Sequence, residues 1–207
     1  MTAIDLDPRV DDPSADPFER FGILLDAALR LDRALLPEPT AFSLATVDAD
    51  GRPSVRIVLL KAVEDGGFVF YTNFESRKSQ ALDATGRAAL CFHWQHLERQ
   101  VRAEGRVERV SDAEADAYFA TRARGSQLGA WASKQSRRME HDGALEERLA
   151  EFERRFADGE VPRPPHWGGW RLRPETIEFW RNMPSRLHVR HRYRRSRDRW
   201  EVERLYP

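Results

Sequence analysis

The chain has one cysteine, three lysines, no net charge and no long apolar run. A lone Cys91 cannot build a disulfide framework, and without cysteine pairs the usual zinc spacings are missing, so no metal site is expected. That usage fits a reducing compartment, the cytoplasm. No run of about 18 apolar residues occurs, and the start, MTAIDLDPRVDDPSADP, is acidic with no apolar h-region. Neither a membrane span nor a secretion signal is expected. A formal net charge of zero argues against a nucleic acid or a membrane surface as partner.

Charge is nevertheless uneven. Residues 1–40 hold nine acidic and four basic side chains, whereas residues 181–204 hold nine arginines and three acids. Lysine occurs only at 61, 78 and 134 among 34 basic residues. Where arginine serves as the generic cation, a compact ammonium invites a ligand contact as its reason.

What is present centres on residues 52–79, RPSVRIVLLKAVEDGGFVFYTNFESRKS. Two β-type apolar runs, 55–60 and 68–71, flank Asp65-Gly66-Gly67, a hairpin signal. Asn73 or Ser76 is placed to cap the helix that follows. Its first turn carries Arg77 and Lys78, unfavourable at the positive end of a helix dipole unless an anion sits there. A phosphate seat is the reading that uses all of these features.

In chain order, residues 1–16 read as a flexible segment, and 17–207 as one domain with a sizeable core (41% hydrophobic residues). A helix opens at Asp16-Pro17, with Phe18, Phe21, Leu24, Leu25, Ala28, Leu31 and Leu35 at helical spacing, and ends at Pro37 and Pro39. Strands are expected at 41–47, 88–94 and, with clear period two, 98–110. Ser111 to Glu114 is a capping box opening a helix over 112–121, after which Gly125 interrupts. A helix over 143–156 turns Leu145, Leu149 and Phe152 inward, and Pro162, Pro164 and Pro165 lead to closing strands at 170–181, 187–194 and 199–205. His93 and Cys91 read as core residues, and Trp167, Trp170 and Trp200 as packing residues. The class is α+β, a β-barrel decorated by helices.

Six segments in one order carry a resemblance: RIVLLK at 56–61, FYTNFESRKS at 70–79, LERQV at 97–101, YFATRARGSQLGAWASKQS at 118–136, and the closing WGGWRL, IEFW and RLHVR. Together they resemble the pyridoxamine 5′-phosphate oxidases over about residues 40–207. The resemblance implies an FMN-binding split barrel, a homodimer with FMN at the subunit interface, and oxidation of pyridoxamine or pyridoxine 5′-phosphate to pyridoxal 5′-phosphate. It assigns FMN contacts to Arg56, Ile57, Val58, Leu59, Leu60, Lys61, Tyr71, Thr72, Arg77, Lys78, Gln100, Gln135, Ser136, Trp180 and Arg190, some from the second subunit. Lys61, Tyr118, Arg122 and Ser126 correspond to the holders of the substrate phosphate, and Arg186 and His188 to the catalytic pair against the substrate ring. Residues 118, 122 and 126 recur every four, so one helical face followed by a turn can present them to one anion. Arg56 and Lys61, five apart on a regular strand, are expected on opposite faces. Val189 stands in RLHVR where the common form has Asp, so the support of Arg186 and His188 differs here. A related flavin oxidase of a phenazine-type substrate, or a non-catalytic flavin or pyridoxal phosphate binder, are the alternative classes.

Overall fold

The computed structural model describes residues 6–157, 159–197 and 199–207. Its sheet is organised on its longest strand, β7 (Trp167–Arg181). One edge of β7 pairs along its length with β6 (Arg99–Arg109). The other edge is shared: the first part pairs with β4 (Gly67–Asn73), the second with β8 (Val189–Ser196). That sharing splits the sheet into two limbs. One continues from β4 to β3 (Ala62–Glu64), the other from β8 to β9 (Arg199–Leu205). From β6 the order runs through β5 (Arg87–Trp94) and β1 (Ala41–Val47) to the edge strand β2 (Pro53–Leu59). Every pairing is antiparallel, and the whole is a curled half-barrel of the α+β class.

Period two in β6 does what the sequence predicts, with Val101, Ala103 and Gly105 inward. The register shifts between Glu104 and Gly105, because Glu104 opposes Thr176 while Gly105 opposes Pro174. Pro174 has no N–H to give the ladder, and a bulge at Glu175 accommodates it. Glu175 then reaches Arg87 at 2.9 Å and Arg106 at 3.4 Å.

Helix α1 (Pro17–Arg30) plugs the barrel. Asp16 caps it, accepting from the N–H groups of Phe18 and Glu19, and Phe21 meets Phe68 and Phe92 at 5.0 Å each and Trp94 at 5.8 Å. Burying one such ring contributes about 1.5–3 kcal/mol. Helices α3 (Asp112–Ala120), α4 (Arg124–Ala132) and α5 (Ala144–Arg155) form a second cluster around Phe119, Leu128, Phe152 and Trp167. α2 (Arg77–Thr85) follows β4. No helix among the described residues is long and apolar enough to cross a membrane, and none of their acidic, His and Cys groups cluster as metal ligands.

Several local expectations are corrected. The run 55–60 pairs with β1, and the hairpin at Asp65-Gly66 is made by β3 and β4 instead. α1 stops at Arg30, before the prolines, because the Asp32 carboxylate takes the Ala34 N–H and its carbonyl takes those of Leu35 and Leu36. Gly125 lies inside α4, Leu145 is exposed on α5, and His93 is exposed on β5. Within the segment 1–16, residues 8–11 form a 3₁₀ turn with Val10 in the core; residues 1–5 lie outside the described residues.

Candidate functional site

β4 ends in Tyr71-Thr72-Asn73 and turns directly into α2. Asn73 makes the turn: its Oδ1 accepts from the Glu75 N–H at 2.7 Å, and its carbonyl accepts from the N–H and hydroxyl of Ser76. Ser76 occupies the N-cap position, yet it is buried and makes no cap hydrogen bond. The expected side-chain cap is therefore absent, and the first N–H groups of α2 are left for another acceptor. Arg56, Arg77 and Lys78 stand around them. Arg56 donates only to neutral groups, the Leu44 carbonyl at 3.0 Å, Thr46 Oγ1 at 2.9 Å and Ser54 Oγ at 2.7 Å. Lys78 Nζ donates to Ser76 Oγ at 3.1 Å and Gln135 Oε1 at 2.9 Å, and Thr72 Oγ1 meets the same Gln135 oxygen at 3.2 Å. Burial, then Arg77, pushes Arg56 below its ordinary value; burial, then Arg56, brings the Lys78 ammonium down to about 8. Among the described residues no carboxylate offsets either. Three cations and a free helix start form a seat for a dianion such as a phosphate.

Beside Thr72 and Gln135 opens a cleft of about 370 Å³, lined also by Tyr71, Arg122, Ser126 and Trp167. The rings of Tyr71, Tyr118 and Trp167 lie nearly parallel, with Tyr71 4.0 Å from Tyr118 and 5.3 Å from Trp167. Arg122 rests on Trp167, its Cζ 4.6 Å from the ring centre, and its Nη1 is buried with no partner among the described residues. Burial lowers the guanidinium's pKa. A buried donor without a partner, on a residue that lines a cleft, costs free energy that an acceptor would recover. Residues 118, 122 and 126 do not share one helix: α3 stops at Ala120 and α4 starts at Arg124, so Arg122 lies in the joint and Ser126 in the first turn of α4. Arg122 and Ser126 still line one cleft, with Tyr118 stacked behind Tyr71.

The remaining expected residues sit at the other end of β7. Gln100 opposes Trp180 across β6 and β7, and Trp180 opposes Arg190 across β7 and β8. Arg190 is held by both oxygens of Glu178, at 2.9 and 3.1 Å, and by the Tyr206 carbonyl at 3.0 Å. The His188 ring lies 4.6 Å from Trp180, and its Nδ1 accepts from the Met183 N–H, which leaves Nε2 to carry the proton of the neutral ring. Ser185 and Arg186 both have left-handed backbones, φ 57° and 60°, a strain of about 1–2 kcal/mol each. Arg186 is exposed and forms no ion pair among the described residues. From Trp167 to Trp180 the strand contour is about 43 Å at about 3.3 Å per residue, so the two groups stand toward opposite ends of β7.

The sequence model described as "Pyridoxamine 5'-phosphate oxidase" matches residues 31–156, and that of the "Pyridoxine 5'-phosphate oxidase C-terminal dimerisation region" matches residues 167–207. The chain belongs to this oxidase family. The family proteins named pyridoxine/pyridoxamine 5′-phosphate oxidase include one from Mesorhizobium japonicum, 54% identical over 94% of both chains. Another, from Cupriavidus taiwanensis, is 56% identical over 95% of this chain and 91% of its own. Among solved structures, PhzG of Burkholderia lata in complex with tetrahydrophenazine-1-carboxylic acid superposes with a TM-score of 0.89 at 33% identity, covering 99% of this chain and all of that one. A pyridoxamine 5′-phosphate oxidase-related, FMN-binding protein of Nostoc punctiforme shares the fold, at a TM-score of 0.72, 21% identity, and 94% and 100% coverage.

Within this member of the family, the stretch 56–61 divides by strand alternation. Val58 and Leu60 are buried in the core, while Arg56, Ile57, Leu59 and Lys61 are left more open, so any ligand contact at 58 and 60 is through backbone. Lys61 lies beyond the end of β2, its N–H on the Val69 carbonyl, so the opposite-face argument for Arg56 and Lys61 does not apply. Ser136 takes a left-handed backbone, φ 69°, next to Gln135. Two residues of the site escape a sequence reading. Trp167 packs as expected but also forms the cleft wall under Arg122, and Glu178 orients Arg190; neither has a local signal, since both act through strand pairing.

Proposed function

We propose that the chain is an FMN-dependent oxidase, cytoplasmic and homodimeric, converting pyridoxamine or pyridoxine 5′-phosphate to pyridoxal 5′-phosphate. The observation that carries this reading is a pair of neighbouring anion seats without acids: Arg56, Arg77 and Lys78 at the α2 start, and Arg122 with its buried free Nη1 beside Ser126. The reaction needs two phosphate seats, one for FMN and one for substrate. Thr72 and Gln135 stand between them. The second subunit supplies Gln100, Trp180, Arg186, His188 and Arg190, which stand toward the opposite end of β7 from the same chain's seats. Val55 and Ile57, 67% and 65% exposed on the edge strand β2, offer an apolar face for that association, and the family's dimerisation region spans 167–207.

FMN, when bound, supplies the hydride acceptor and hands the electrons to oxygen. For the amine the balance is pyridoxamine phosphate, oxygen and water giving pyridoxal phosphate, ammonia and hydrogen peroxide. The chain's own residues hold and orient. Lys61, Tyr118, Arg122 and Ser126 grip the substrate phosphate, Arg186 places a cation at the reacting edge, and the His188 Nε2–H donates a hydrogen bond to the substrate. A phenazine carboxylate, the ligand class of the Burkholderia lata protein, has no phosphate to use these donors.

Anaerobic addition of pyridoxamine phosphate is expected to bleach the flavin band near ~450 nm, with its return and aldehyde formation on admitting air. Flavin that stays oxidised with the phosphate ester but bleaches with a reduced phenazine carboxylate sinks this reading in favour of the other.

Lys78 sets the pH dependence of cofactor binding. Its folded pKa of about 8 lies below the ordinary 10.5, so between those values the empty folded chain releases a proton the unfolded chain keeps. Stability of the apoprotein therefore gains from this group as pH rises through that window. A bound phosphate favours the charged form and reverses the sign: binding above pH 8 takes up a proton, and FMN affinity falls by up to about tenfold per pH unit. Titrations of apoprotein at pH 7, 8 and 9 are expected to show this, and Lys78→Arg to flatten it.

A further inference from the structure

The segment 10–13 is seated on the far end of β7 by contacts that bridge four elements. Val10 is buried in the core, and its carbonyl accepts from Arg20 Nε at 3.0 Å and Nη2 at 2.7 Å. Arg20, itself buried on α1, lies over Phe179 and donates its remaining Nη1 to the Tyr193 hydroxyl, which in turn donates to the Pro13 carbonyl at 2.9 Å. Between these anchors Asp11 points at the sheet. Its Oδ2 accepts from Arg181 Nη1 at 2.6 Å and Arg99 Nη2 at 3.3 Å.

Those two arginines are direct cross-strand partners, the first pair of the β6–β7 ladder, and the next pair is Gln100 with Trp180. Like charges placed directly opposite on neighbouring strands push the strands apart. Asp11 is the only carboxylate in ion-pair range of either among the described residues. His191, on β8 and also near Asp11, Arg20, Arg181 and Arg204, is kept below its ordinary pKa by burial and so adds no further cation at neutral pH. Arg99 is largely buried and Arg181 about a third exposed, so water screens their repulsion only in part.

We infer that Asp11 is a positioning residue: by neutralising the opposed Arg99 and Arg181 it holds the β6–β7 end in register, and with it the Gln100 and Trp180 edge presented to the cofactor. The inference rests on the proposed reading of Gln100 and Trp180 as FMN contacts. It extends the site to a part of the chain outside the residues assigned to cofactor and substrate.

The test uses full-length Asp11→Asn, Asp11→Glu and the double variant Asp11→Asn with Arg181→Gln. FMN affinity is read by flavin fluorescence on titrating apoprotein, and the strand ends by backbone amide exchange at 99–101 and 179–181. Asp11→Asn is expected to raise the FMN Kd about tenfold with turnover per bound flavin unchanged. Asp11→Glu and the double variant are expected to recover to within about threefold of wild type, because restoring the acid or removing one of the opposed cations relieves the same repulsion. A double variant no better than Asp11→Asn, or an Asp11→Asn chain that binds FMN as wild type does, overturns the positioning role. A wild-type chain that takes up no FMN overturns the functional reading instead. Exchange, which needs no cofactor, then decides the clamp: faster exchange in Asp11→Asn supports it and unchanged exchange ends it.

Discussion

Arg122→Met is expected to raise the KM for pyridoxamine phosphate about ten- to a hundredfold, from the loss of one or more charge-assisted hydrogen bonds of about 1.5–3 kcal/mol each, with FMN occupancy unchanged. The same substitution is expected not to destabilise the apoprotein. Among the described residues Arg122 Nη1 is buried with no partner, and burial already lowers the guanidinium's pKa. Such a donor costs about 1–3 kcal/mol until an acceptor arrives. Methionine keeps the apolar cover over Trp167 and removes the unsatisfied N–H groups, so the melting temperature should hold or rise while the KM climbs. Steady-state kinetics and a melting curve decide it together. A fall in melting temperature with an unchanged KM would make Arg122 a packing residue.

Gly105→Ala is expected to destabilise the fold by about 3 kcal/mol, at the upper end of ordinary overpacking, which lowers the melting temperature by about 6–12 °C. A β-carbon at Gly105 would overlap the Arg173 carbonyl oxygen and lie 2.8 Å from the Pro174 Cα, both backbone atoms. Neither can turn away, because this is the point where β6 and β7 change register around the Glu175 bulge. Gly168 makes the contrast. A β-carbon there would meet the Phe74 ring at 2.5 Å, a side chain that can rotate, so Gly168→Ala should cost less. Equal losses in the two variants would show that the bulge is more pliant than its geometry implies.

Much of the architecture is legible because it is written in local periods and caps. Alternation marks β6, the Asp16-Pro17 cap starts α1 and the Ser111 to Glu114 box starts α3, each within a residue or so of the observed bounds. Where two local signals compete, the reading slips. The run 55–60 and Phe68–Tyr71 flank a good turn, but the shorter loop at Asp48–Gly51 closes β1 on β2 first, and β3 takes the second turn. Of the site, the helix start at Arg77 and Lys78 stands out as a charge in the wrong place. Trp167 under Arg122, Glu178 on Arg190 and Asp11 between Arg99 and Arg181 leave no such mark. Their partners lie 45 to 170 residues away in some cases, and only the pairing of β7 with its neighbours brings them into reach.

The Lys78 amine has a chemical consequence of its own. A primary amine with a pKa of about 8 is neutral in an appreciable fraction near physiological pH, and a neutral amine condenses with aldehydes. The proposed product is an aldehyde. An enzyme that makes one is exposed to imine formation by its own output at every accessible lysine, and this chain offers only three. With a phosphate seated on it, Lys78 stays protonated and inert. Empty, it becomes the amine most open to capture, so borohydride trapping of the aldehyde should label Lys78 in apoprotein and spare it in the FMN-loaded form.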